Sequence, residues 1–148
     1  MTPTLLGRIQ TRLFLLATVG VVWMLIISPI VLPLTPDGVE LGDVYSLGYA
    51  ALVLVAVIGI VWEFIYHGLQ QFRWEKDWPT LFGLLTGINE GIVVYLVLRA
   101  GLPWDVGDVP GVAFVIMFAT TWILVWLVAN GPMRVLSLRW RFRGGRLL

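Results

Sequence analysis

The sequence predicts an all-α integral membrane protein, a bundle of four transmembrane helices. Of its 148 residues, 59% are hydrophobic and 13% are charged, and the mean hydropathy is +0.90. An ordinary globular domain is about 45–50% apolar and about 25% charged. A chain this short could not bury so much apolar surface in water, because small domains cover only about two-thirds of what they expose when unfolded. The apolar runs are continuous rather than alternating, which argues against a β-barrel.

Four apolar segments are long enough to cross a hydrocarbon core of about 30 Å, which takes roughly 20 helical residues. They cover about residues 13–32, 44–67, 80–98 and 111–129. Turn chemistry at Thr35-Pro36-Asp37-Gly38 separates the first two segments. Asn130-Gly131-Pro132 ends the fourth. Nothing divides the chain, so we expect one domain over residues 1–148 with a basic interfacial tail at 133–148.

Basic residues predict the orientation of the bundle. Nine of the ten Lys and Arg residues fall on one side of the predicted segments: Arg8, Arg12, Arg73, Lys76, Arg134, Arg139, Arg141, Arg143 and Arg146. Because basic loops remain in the cytoplasm, both termini are predicted to be cytoplasmic, with two short acidic loops outside. Arg outnumbers Lys nine to one, which is typical of a GC-rich genome and indicates a multi-pass protein of a bacterial inner membrane.

The third segment contains a run of small residues that predicts close helix packing. Gly83, Gly87 and Gly91, here called the glycine stripe, repeat every four positions. At about 100° per residue they share one helix face. Helices in lipid associate through close contact, which small residues permit. We expect a glycine-zipper contact of Gly87 with the second segment near Gly59, and a second copy or another subunit is the alternative partner.

Glu90 lies near the middle of the third segment, about 20° from Gly83 on the helical wheel. An ionised carboxylate at the bilayer centre is costly, so such a group is normally paired, protonated or hydrated. We therefore expect Glu90 to face the bundle interior, either as an interhelical hydrogen-bonding group or as a proton or cation site. Asn89 points about 100° away and is expected to contact a different neighbour.

The second segment offers the expected neighbours of Glu90. Ala56, Gly59, Glu63 and His67 recur at three- and four-residue spacing and form one small-and-polar face. Glu63 and His67 can share a hydrogen bond, a proton or a metal ion. A di-metal centre built on Glu-x-x-His pairs needs more than the single histidine present, so we predict no metal and no other cofactor. Glu63 is expected to differ from Glu90 in depth by about 10 Å.

The C-terminal tail interleaves cationic and aromatic residues. Its predicted contacts with lipid headgroups or a partner are Arg139, Trp140, Arg141, Arg143 and Arg146. Such a sequence at a membrane exit attracts anionic headgroups, each charge contributing about 1 kcal/mol near the surface. We predict an interfacial anchor rather than a docking peptide. The net charge of only +1 argues against a nucleic-acid partner.

Three functions remain open. The first is a non-catalytic subunit or scaffold that packs with other membrane subunits or self-associates, which suits the glycine stripe and the short loops. The second is an oligomeric proton-conducting, ion-conducting or transport module. Its polar groups would be Glu90, Glu63, His67 and Asn89. The third is a membrane enzyme acting on lipid with Glu63 or His67 as base. The absence of cysteine removes thiol chemistry, and no nucleophile motif is evident.

The orientation can be tested directly, because the chain has no cysteine of its own. Single cysteines introduced at Gly38 and Asp105 should react with an impermeant thiol reagent in whole cells, since both loops are predicted to be outside. A cysteine at Lys76 should react only after the membrane is permeabilised. The reverse labelling pattern would invert the predicted topology.

Overall fold

The computed structural model describes residues 4–72, 80–108 and 110–147. Within these ranges the chain is helical and contains no strand. Four stretches of helix are long and apolar enough to cross a membrane: Leu5–Leu34, Leu41–Gln71, Leu81–Arg99 and Gly111–Leu136. The predicted all-helical chain with four membrane-length helices is confirmed. The orientation remains a prediction, and two of the basic residues behind it, Arg73 and Lys76, lie outside the described residues.

The first span, Leu5–Leu34, is the least regular of the four. It consists of α1 (Leu5–Leu15), a π-helical turn (Leu16–Gly20), α2 (Val21–Val31) and a 3-10 turn (Leu32–Leu34). The Thr4 side chain caps α1 by accepting a hydrogen bond from the Gly7 amide at 3.1 Å. The helix begins eight residues before the predicted boundary at residue 13. The predicted start at residue 13 was wrong, because Arg8 and Arg12, which the sequence analysis placed before the helix, are part of it.

The rest of the described residues contain three long helices and two short ones. These are α3 (Leu41–Gln71), α4 (Thr80–Arg99), α5 (Gly111–Asn130), α6 (Pro132–Leu136) and α7 (Leu138–Phe142). A capping box between Glu40 and Asp43 starts α3, because the side chain of each residue accepts a hydrogen bond from the backbone amide of the other. At about 1.5 Å per residue, α3 is roughly 46 Å long, which exceeds the hydrocarbon thickness and requires tilt or projection beyond it.

The four spans pack as a ring in which each helix has two main neighbours. The first span contacts α3 and α5, and α4 contacts the same two helices from the other side. Apolar side chains fill the centre, among them Met24, Val31, Val44, Ala50, Val94, Leu98, Ala113 and Met117. Gly48 admits two of them, because a Cβ there would lie 2.7 Å from both Met24 Sδ and Met117 Cε. A larger residue there would require the flexible ends of these two methionines to shift.

The glycine stripe of α4 packs against α5. Three aromatic residues of α5, Phe118, Trp122 and Trp126, here called the aromatic ladder, face the three glycines in antiparallel order. A Cβ on Gly87 would lie 2.5 Å from Trp122 Nε1, and one on Gly91 would lie 2.9 Å from Phe118 Cε1. The expected pairing of Gly87 with Gly59 on α3 was therefore wrong. Sequence spacing identified the close-packing face but held no information about which helix covers it.

The C-terminal segment folds back onto α1. The Thr4 amide donates to the Gly144 carbonyl at 2.8 Å, and the Thr11 hydroxyl donates to the Gly145 carbonyl at 3.1 Å. Trp140 Nε1 donates to Thr11 Oγ1 at 2.7 Å. Gly7 is needed at this contact, because a Cβ there would collide with the Gly144 carbonyl oxygen. The tail is thus docked to the start of the chain, while its five arginines are exposed: Arg134, Arg139, Arg141, Arg143 and Arg146.

Substitution of Gly87 tests the contact between the glycine stripe and the aromatic ladder. Gly87→Ala should destabilise the protein by about 1–3 kcal/mol, because the added methyl group overlaps the Trp122 ring. Gly68→Ala on α3 is the matched control, since nothing lies within 4 Å of a Cβ there. The control should be neutral or more stable, because alanine favours helix over glycine. Equal thermal midpoints of the two variants in detergent would contradict the packing.

Candidate functional site

The interior of the bundle also holds two carboxylates that are hydrogen-bonded to one guanidinium. Arg12 donates to Glu90 from Nη1 to Oε2 at 2.5 Å and from Nη2 to Oε1 at 2.9 Å. It also donates to Glu63 Oε1 from Nη2 at 2.9 Å and from Nε at 3.2 Å. Glu90 is only 1% exposed and Glu63 is 8% exposed. These charge-assisted bonds join three helices: the first span, α3 and α4.

Gly59 makes the position of Arg12 attainable. A Cβ on Gly59 would lie 2.9 Å from both Cδ and Cζ of Arg12, and it would overlap Nη1 more closely still. Because Gly59 has no side chain, α3 leaves the space that Arg12 needs to reach Glu90. Gly59 was expected to contact α4 near Gly87, and the structure places it against the Arg12 side chain of the first span.

A second arginine continues the network toward the end of the bundle that carries both termini. Arg8 precedes Arg12 by one helical turn, so both face α3. Arg8 Nη2 donates to Gln70 Oε1 at 2.5 Å and lies 3.5 Å from His67 Nδ1. Arg8 Nε lies 3.8 Å from Glu63 Oε2. With all four ionisable groups charged, two arginines balance two glutamates, so the cluster is neutral in total.

Trp122 connects the ion cluster to the contact between α4 and α5. Its ring centroid lies 5.6 Å from Arg12 Cζ, within the range of a cation–π interaction. Its Nε1 donates to the Gly83 carbonyl at 3.2 Å. The ring also stacks on Phe118, with centroids 5.8 Å apart. One side chain of α5 therefore contacts both the arginine and the glycine stripe.

A cavity of about 720 Å³ lies beside the cluster and is partly open to the outside. Its walls come from the first span, α3, α4, α5 and the C-terminal segment. Arg8, Arg12 and Glu63 line it. The volume falls within the range of about 300–1,000 Å³ that is usual for small-molecule pockets. The bundle therefore combines a buried ion cluster with space for a bound molecule.

The polar residues singled out from the sequence divide into two groups. Glu90, Glu63 and His67 belong to the network around Arg12 and Arg8. The expected depth difference of about 10 Å does not separate the two carboxylates, because Glu63 Oε1 and Glu90 Oε1 each lie 2.9 Å from Arg12 Nη2. The depth estimate used only the rise along each helix, and it did not include the first span, whose Arg12 bonds both carboxylates. Asn89 is exposed on α4.

Sequence reasoning missed the two residues that organise the site. Arg8 and Arg12 were assigned to the cytoplasmic flank because they precede the most apolar run. Their spacing held a signal, since the i, i+4 pair of arginines matches the i, i+4 pair Glu63 and His67. Two acidic residues in apolar segments were a second signal, because pairing with a cation is one way to offset the cost of burying a carboxylate. Trp122 carried no comparable signal, because a deep tryptophan is common in membrane helices.

The charged groups of the cluster are bonded to one another rather than left open to a ligand. Each carboxylate of the pair is bonded to the guanidinium, whose three nitrogens all donate. Among the described residues no group of three His, Cys, Asp or Glu side chains gathers as a metal site would require. The geometry suits a fixed interhelical connection beside a cavity that is open to a ligand.

Comparison of the chain with protein-family models, curated proteins and solved structures finds no match.

Removal of Arg12 tests the central role of the network. Arg12→Met should destabilise the protein by about 3–5 kcal/mol, because it leaves two buried carboxylates without their positive partner. Arg99→Met is the control, since Arg99 is exposed at the opposite end of the bundle, and its loss should change the thermal midpoint little.

A double variant, Arg12→Met with Glu90→Gln, should recover much of the lost stability, because Glu63 and Arg8 then remain as one pair of opposite charges. Thermal unfolding in mild detergent, followed by tryptophan fluorescence, measures the wild type and the three variants. An Arg12→Met midpoint equal to that of the wild type would show that the network contributes nothing to the fold.

Proposed function

We propose that the protein is a non-catalytic subunit or scaffold of a larger membrane assembly. The proposal rests on the network itself, in which both intramembrane carboxylates are bonded to an arginine of the same chain. A buried ionic network of this kind suits a device that fixes which helices meet. It leaves neither Glu63 nor Glu90 as an unbonded carboxylate.

The outward surface of α4 supports lateral association. Five of its exposed apolar side chains recur at spacings of three and four and form one stripe: Leu81, Leu85, Ile88, Ile92 and Leu96. Residues at this spacing share one helix face. Gly87 and Gly91 of the same helix are buried against α5, so a partner would meet the large apolar side chains. Such a surface suits packing against another membrane helix as well as contact with lipid.

A proton-conducting or transport function is the second candidate. One observation favours it: Glu63 lines the cavity, and the Arg12 guanidinium that bonds Glu63 also bonds Glu90. Intramembrane carboxylates beside a hydrated space are common in proton pathways. In that function Glu63 and Glu90 would break and re-form their bonds to Arg12 during the transport cycle.

Affinity purification tests the association that the scaffold function requires. Tagged full-length protein, solubilised in mild detergent and analysed by quantitative mass spectrometry, should retain a partner at a fixed stoichiometry or a second copy of itself. Ile88→Trp should reduce this association at least tenfold, because it places a bulky ring in the exposed stripe of α4. Val57→Trp, an equally exposed position on α3, is the matched control and should retain the partner.

Substitutions of Glu90 then discriminate between scaffold and transport. As a scaffold group, Glu90→Gln should retain near-normal association, because the amide oxygen still accepts from Arg12 and Glu63 still pairs with the same guanidinium. Glu90→Leu removes both capacities and should weaken the bundle. In proteoliposomes the scaffold should show no proton or cation flux. A pH-dependent flux that Glu90→Gln abolishes with the fold intact would favour transport and overturn the proposal.

A further inference from the structure

The cavity beside the ion cluster has a long, apolar inner part. Its deepest lining residues are apolar side chains of the first span and α3: Leu15, Leu16, Met24, Ala51, Leu52 and Val55. On the first span the apolar lining extends from Leu15 to Met24, which corresponds to roughly 14 Å along a helix. An elongated apolar space of this length suits a hydrocarbon chain better than a compact polar solute.

The end of the cavity near the termini is cationic. Arg8, Arg134 and Arg141 line it there, and Arg12 lies further in. Within the described part of the chain, Arg134 and Arg141 form no ion pair. Arg134 donates to Asn130 Oδ1 at 2.8 Å, and the Arg141 guanidinium lies 5.8 Å from the Phe142 ring centroid. Both side chains are exposed, so their charges are accessible to an anion.

The acidic residues nearby do not neutralise this cationic end. Glu63 lines the cavity, but its carboxylate is bonded to Arg12. Glu90 is bonded to the same guanidinium. Arg134 and Arg141 therefore present two positive charges at the end where the cavity opens beside the docked C-terminal segment. A molecule that fills the cavity would meet apolar walls with one end and guanidinium groups with the other.

We infer that the cavity binds an anionic phospholipid of the surrounding bilayer. One acyl chain occupies the apolar inner part, and the phosphate group binds Arg134 and Arg141. Guanidinium groups match phosphate oxygens in geometry and charge. Anionic headgroups are attracted to arginines at a membrane exit. The binding site requires no partner protein, so it stands or fails independently of the scaffold function.

Quenching of tryptophan fluorescence tests the site, because Trp122 and Trp126 line the cavity. The full-length protein is reconstituted with phosphatidylglycerol or phosphatidylcholine whose acyl chains carry bromine, which quenches tryptophan on contact. Brominated phosphatidylglycerol should quench at lower mole fraction than brominated phosphatidylcholine. The preference should fall about tenfold or more in Arg134→Gln/Arg141→Gln, since two phosphate-binding charges are lost.

Arg139→Gln/Arg143→Gln is the matched control. It removes the same charge from the same exposed tail at positions outside the cavity lining. The control should keep the preference for phosphatidylglycerol. Equal losses in the two double variants would reduce the effect to general surface charge and overturn the site.

Substitutions that fill the cavity with a large side chain test whether the acyl chain binds there. Ala51→Phe, in the inner wall, should abolish the additional quenching by phosphatidylglycerol, because the ring takes the space of the chain. Ala129→Phe, at a half-buried position nearer the opening, answers the same question where Ala51→Phe does not fold. Unchanged quenching in a folded filled variant would overturn acyl-chain binding. Quenching by brominated free fatty acid but not by phosphatidylglycerol would overturn the assignment to a phospholipid.

Discussion

A carboxylate placed among apolar helices must be paired, protonated or hydrated, and in this bundle pairing with an arginine organises the fold. Glu63 on α3 and Glu90 on α4 meet that requirement through Arg12, whose guanidinium reaches both. The first span must extend toward the end that carries the termini for Arg12 to lie at the right height. Position 59 of α3 must be glycine for the side chain to pass. The relative placement of three helices thus follows from one set of charge-assisted bonds.

The fourth helix is fixed by shape rather than by charge. The glycine stripe lets the α4 backbone approach the aromatic ladder of α5, and each glycine receives one ring. Close packing of this kind replaces the hydrophobic driving force, which is weak between helices in lipid. Trp122 joins the two arrangements, because it contacts Arg12 on one side and the α4 backbone on the other. The charge network and the steric contact therefore support each other.

The functional proposals follow from what the bundle keeps inside and what it leaves accessible. The carboxylates are bonded within the chain, which favours a structural role for them over a relay. The cavity remains open, with apolar inner walls and arginines at one end. The C-terminal segment contributes to that end because Thr4, Thr11 and Trp140 hold it against α1. A tail that looks like a simple interfacial anchor in sequence thereby becomes part of a cavity wall.

The sequence by itself determined the helical class and the four apolar stretches, because hydropathy and length are local properties of the chain. It also identified Glu63, Glu90 and the glycine stripe as exceptional, since polar and small residues stand out in apolar segments. Only the tertiary structure decided their partners. Arg12 belongs to the network, and Trp122 covers Gly87, because helices distant in the sequence come together there. Local periodicity gives the face that a residue occupies, whereas its neighbour depends on the packing of the whole bundle.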